Sequence, residues 1–126
     1  MNSNAFRTAV ETHDMDAAIE QLADDVTFSS PVVFKPYEGK AVVGVILQAV
    51  GQVFEDFSYE SEVNDGDRTV LVFNAKVGDK SVQGADFLRF NEDGLIQELT
   101  VMVRPMSGMH ALAEAMKAQL EAAGVI

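Results

Sequence analysis

The chain has 126 residues, is 48% hydrophobic, and carries 20 acidic against 9 basic side chains for a net charge of −11. That length suits one domain with a real core, and that charge repels phosphate backbones and anionic lipid, so neither a nucleic-acid nor a membrane partner is expected. The absence of cysteine excludes disulfides and thiolate metal sites and agrees with a cytoplasmic location, while the N-terminal stretch MNSNAFRTAVE lacks the basic-then-apolar order of a secretory signal.

Ala5 to Thr12 is predicted helical, with Phe6, Val10 and His13 on one stripe. His13-Asp14 breaks it. Asp14 or Asp16 can cap a second helix, Ala17 to Ala23, with Ala18, Ile19 and Leu22 apolar and Asp24-Asp25 at its end. Val26 to Ser30 reads as a short strand that Pro31 stops. The loop from Val32 to Gly39 carries unusual bulk (Val32, Val33, Phe34, Tyr37) and is expected to fold over a cavity or a partner. Lys40 to Phe54 is a third helix with a wide apolar stripe. Gly44 and Gly51 inside it suggest a close approach to the sheet. Phe57 to Val63 is the next strand, followed by a turn at Asn64 to Asp67.

From Thr69 to Pro105 apolar and polar residues alternate, which predicts three antiparallel strands. Gly78-Asp79 suits a two-residue hairpin, so Phe73 should oppose Gly84 and Leu71 should oppose Asp86. Asn91 to Gly94 suits a type I turn closed by a left-handed glycine, which would set Phe90 against Leu95, Asp86 against Leu99 and Gly84 against Val101. One face then holds Leu71, Phe73, Ala75, Val82, Gly84, Asp86, Leu88, Phe90, Leu99, Val101 and Val103. Asp86 is the polar exception, with Gln97 marginal. The other face, with Phe87, Arg89, Ile96, Glu98, Thr100, Met102 and Arg104, is mixed, as a subunit contact would be. Ser107 can cap a final helix, Gly108 to Ala123, terminated by Gly124.

Helices segregated against an antiparallel sheet make an α+β domain. The expected shape is a cone-shaped α+β barrel: a curved antiparallel sheet against N-terminal helices, closed by a C-terminal helix. With ADDVTFSSP early and GADFLRFNEDGLI late, this order resembles the nuclear transport factor 2-like superfamily, and within it SnoaL-like proteins and ketosteroid isomerases. The resemblance covers roughly residues 5 to 104 and implies a single domain over residues 1–126.

The resemblance also implies an isomerase machinery position by position. The isomerase's oxyanion-hole aspartate, kept protonated, matches Asp86. Its tyrosine on the first helix matches Phe6, and its general base matches Ser30. Phe6 has no hydroxyl, and Ser30 is no base at neutral pH, so ketosteroid isomerase activity is not expected. The epoxide hydrolases of this fold need paired carboxylates and an arginine inside the cone, and only Asp86 is placed there.

Asp86 in an apolar surround can hold its proton and donate it to a ligand oxygen, or it can be a structural aspartate. His13 and His110 read as turn and surface residues, and they have no carboxylate at metal-ligand spacing. Met102, Met106, Met109 and Met116 suit core packing or subunit contact, or a pliable lid. The expected cavity is lined by Phe6, Leu22, Phe28, Ser30, Leu47, Leu71, Phe73, Asp86, Leu99, Val101 and Val103. It would bind a small, largely apolar molecule with one polar group near Asp86. No cofactor or metal is expected, and a homodimer through the mixed face is. Two other functions fit the same residues: an isomerase or cyclase-type lyase on a polycyclic or terpenoid ketone with Asp86 as acid, and a structural dimerisation module.

Overall fold

The structure is a computed structural model that describes residues 3–124, with side chains from Ala5 onward. Met1, Asn2, Val125 and Ile126, which the single-domain expectation included, lie outside the described residues. In chain order the elements are α1 (Ser3–Glu11), α2 (Met15–Glu20), β1 (Leu22–Ser29), β2 (Tyr37–Glu38), α3 (Lys40–Val53), β3 (Glu55–Asp65), β4 (Arg68–Val77), β5 (Lys80–Phe90), β6 (Ile96–Arg104) and α4 (Met106–Ala122). The strands form one curved sheet in the order β2-β1-β6-β5-β4-β3. The helices cover its inner face, giving the α+β cone.

The β4–β5 hairpin forms as the alternation predicts. Val77 pairs with Lys80, Phe73 with Gly84 and Leu71 with Asp86, and Gly78 takes φ 60° in the two-residue turn. Gly84 has a packing reason. A Cβ there would run into the Phe73 ring and come within 2.8 Å of the Met102 carbonyl oxygen. The ring of the opposing strand fills the space a side chain would need.

The β5–β6 pairing differs from expectation by two residues. Asn91 Oδ1 accepts hydrogen bonds from the amides of Asp93 at 2.9 Å and Leu95 at 3.0 Å, and Asn91 N donates to the Leu95 carbonyl at 2.8 Å. This local cage lengthens the turn. Pairing resumes at Phe90–Ile96, and the register shifts before Arg89–Glu98, which leaves Gln97 bulged. Leu88 then meets Leu99, and Asp86 meets Val101. An even offset preserves the faces beyond the bulge. Ile96, before the bulge, turns inward and is fully buried. It is not part of the outer face.

Leu22 and Ala23 belong to β1, not to the second helix, and Asp24 and Asp25 continue that strand. Ile96 N donates to the Gln21 carbonyl at 2.8 Å, and Leu22 pairs with Ile96 in a parallel ladder that slips before Thr27. Asp24 and Asp25 stay exposed across that slip, and Gln97 Nε2 reaches Asp25 Oδ1 at 2.9 Å. Two bulges thus face each other, and the sheet has a parallel pair that local alternation could not signal. Asp14 caps α2 by accepting from Ala17 N at 3.1 Å. Gly44 and Gly51 of α3 face Ile19 and Met15 of α2, not the sheet. The last helix begins at Met106 with Pro105 as its cap residue, so Ser107 lies inside the first turn.

Candidate functional site

A cavity of about 420 Å³ opens on the inner side of the sheet, within the usual range for small-molecule sites. Strands and helices give it an apolar wall. The rings of Phe54, Phe57, Tyr59 and Phe73 form one packed cluster, with Phe57 stacked on Phe73 at 4.9 Å and set edge-on to Tyr59 at 4.9 Å. Ile46, Leu47 and Val50 come from α3, and Leu112, Met116 and Leu120 from α4.

At the inner end Asp86 is 8% exposed, and Tyr59 Oη donates a 3.0 Å hydrogen bond to its Oδ2. Burial pushes the Asp86 carboxyl up to about 7, and the Tyr59 hydrogen bond pulls it back only in part. The Tyr59 hydroxyl is itself raised, first by burial and then by the adjacent carboxylate. It therefore stays a donor. With Oδ2 accepting from Tyr59, Oδ1 is the oxygen left to carry an acid proton. Arg7 stands behind Tyr59, 5.6 Å from its ring centroid, and pairs with Glu62 at 3.1 Å and Glu11 at 3.4 Å.

Eight of the residues expected at the site border the cavity: Phe6, Phe28, Ser30, Leu47, Phe73, Asp86, Leu99 and Val101. Three do not. Leu22 is fully buried in β1, and Leu71, across from Asp86, is fully enclosed in the core. Val103 is half-buried toward the far end of β6. The bulky loop does reach the cavity, through Pro31, Val32, Val33 and Tyr37, while Phe34 is 99% exposed. Ser30 Oγ accepts from the amides of Val32 at 3.2 Å and Val33 at 3.0 Å, so its hydroxyl shapes the loop. His13, at φ 60° in the turn after α1, and His110 are exposed. Among the described residues no cluster of His, Cys, Asp and Glu has metal-site geometry, and no helix is long and apolar enough to cross a membrane.

Tyr59 is the functional candidate that sequence reasoning missed. Its signal was present: a tyrosine two residues after Phe57, on the same face of a predicted strand. Its partner could be found only once bulges between Glu55 and Ser58 and between Tyr59 and Ser61 set it against Phe73.

The fold is an α+β cone with an apolar cavity and one buried acid at its end. Residues 4–99 match the SnoaL-like domain family, and the chain belongs to that family. It is similar to a solved structure from Pseudomonas aeruginosa described as a steroid delta-isomerase, at 40% identity and TM-score 0.88, over 94% of this chain and 88% of that one. It is similar also to an uncharacterized protein with a cystatin-like fold from Silicibacter pomeroyi DSS-3, at 35% identity and TM-score 0.90, over 94% and 84% of the two chains. An NTF2-like protein of unknown function from Mesorhizobium loti shares the fold at 21% identity and TM-score 0.71, over 81% and 87% of the two chains. No curated protein matches the chain.

Proposed function

We propose that the protein binds a small, largely apolar molecule in the cone, oriented by one hydrogen bond between a ligand carbonyl or hydroxyl oxygen and Asp86. The observation that carries this reading is the Tyr59–Asp86 pair at the buried end of an otherwise apolar cavity. Burial keeps the carboxyl protonated in a large share of molecules near neutral pH. Fluorenone and fluorene test it, because they differ only by a carbonyl. Wild type should prefer fluorenone by about tenfold, the size of one good hydrogen bond. Asp86→Leu should erase the preference while still binding fluorene. Equal affinities in wild type would contradict the reading.

The identity with the Pseudomonas aeruginosa steroid delta-isomerase favours a second reading, an isomerase or cyclase-type lyase acting on a polycyclic or terpenoid ketone with Asp86 as acid. Against the ketosteroid case stand Phe6, which has no hydroxyl, and Ser30, which is engaged with loop amides. A Δ5-3-ketosteroid should therefore turn over no faster than in buffer. Turnover that Asp86→Asn abolishes would select the second reading. A purely structural dimerisation module would have no use for a cavity of this size. The outer face, with Phe87, Met102, Arg89 and Glu98, supports homodimer formation through that surface.

A further inference from the structure

The family match ends at residue 99, yet α4, which begins at Met106, supplies six residues to the cavity border. Leu112, Met116 and Leu120 continue the apolar wall. Gly108 seats the helix, since a Cβ there would strike the Val82 side chain. Of the charged side chains that border the cavity, Asp86 lies at the buried end, and Glu114 and Lys117 lie on α4 and are exposed. Spaced i to i+3, they share a helix face. Neither takes part in an ion pair; the salt bridges among the described residues are Arg7–Glu11, Arg7–Glu62 and Arg89–Glu98. Lys117 is thus an unpaired cation at the open side of an apolar cavity, in a chain of net charge −11. Most of that surface turns an anion away, and a local cation at the cavity border weakens that repulsion there. A lysine can also lay its methylenes along the apolar rim while its ammonium stays in water.

We propose that Lys117 is a specificity residue and that the bound molecule is an amphipathic acid: an apolar body, an oxygen for Asp86 at one end and an anionic group for Lys117 at the other. This rests on the cavity reading above and adds the ligand's second polar end. Glu114 opposes the same anion and limits the attraction.

The test uses two fluorescent probes of nearly the same body, the anionic 1-anilinonaphthalene-8-sulfonate and the neutral N-phenyl-1-naphthylamine, titrated into the full chain. Lys117→Gln should weaken the sulfonate about fivefold, the upper range for one solvent-exposed charge pair, and leave the neutral probe within about twofold. Glu114→Gln should tighten the sulfonate by a smaller factor. High salt should shrink both effects. Both substitutions are at exposed positions, and unchanged melting curves would show that the fold is intact. Fluorenone should displace both probes; a probe it fails to displace sits elsewhere and counts against the proposal. A Lys117→Gln variant with an unchanged sulfonate-to-neutral ratio overturns the role of Lys117 alone. Failure of both probes to bind wild type overturns the cavity reading together with it.

Discussion

Tyr59, Phe73 and Asp86 reach the cavity from three neighbouring strands, whereas Val33, Met116 and Lys117 reach it from a loop and a helix. The strand side is over-determined. Each residue is held by a cross-strand partner, by the four-ring cluster, or by the Tyr59–Asp86 hydrogen bond. The covering side is held by the Ser30 hydroxyl turn, by the two-residue β2 paired with β1, and by helix packing. The contrast separates two tasks. A rigid wall can keep a carboxyl desolvated and aimed, and a cover held by fewer bonds can vary with the ligand it admits.

The largest expected effect would come from breaking the wall. Phe73→Ala removes the centre of the aromatic cluster and should lower unfolding free energy by about 3–5 kcal/mol. Met116→Ala on the half-buried cover should cost about 1 kcal/mol or a little more. Denaturant unfolding of both variants measures the difference. Equal losses would mean that wall and cover are equally built in.

Next in size is a pH effect confined to the wall. The folded Asp86 carboxyl has its pKa raised from 3.8 to about 7. The folded state therefore keeps the proton longer than the unfolded chain does. Stability from this group is fully present below the unfolded value and is lost as pH rises through the folded one. Asp86→Asn does not ionise, so it should gain on wild type between pH 4 and pH 8, by as much as about 4 kcal/mol at the upper end. Unfolding curves at both pH values check this. A mutant equally destabilised at both would show an ionised structural carboxylate instead.

The smallest effect concerns the outer face, where Met102 is 58% exposed. Met102→Glu should leave the cavity and the melting curve nearly unchanged while weakening a homodimer. Light scattering should fall from about twice the 13.7 kDa chain mass toward that mass. Ile96→Glu, by contrast, would strike the core, because the bulge turns Ile96 inward.

The same contrast marks what the sequence could tell. The β4–β5 hairpin was legible residue by residue, because a two-residue Gly78-Asp79 turn leaves one register and alternation then places Asp86 among apolar neighbours. The even slip in β5–β6 left that inward face readable beyond the bulge. What local pattern could not show was anything set by pairing far along the chain. The parallel β1–β6 ladder turned Leu22 from a helix residue into a strand residue. The bulges of β3 brought Tyr59 to Asp86. Lys117 was invisible for a related reason: a single lysine on a helix says nothing until the helix is seen to close a cavity.

The proposed role of Asp86 needs it to hold a proton at neutral pH, and a carbon-detected NMR titration of its side-chain carboxyl measures that most directly. The midpoint should lie near 7 in wild type and rise in Tyr59→Phe, where the hydrogen bond that favours the carboxylate is gone. A midpoint near the ordinary aspartate value of about 4, unmoved by the tyrosine substitution, would contradict it.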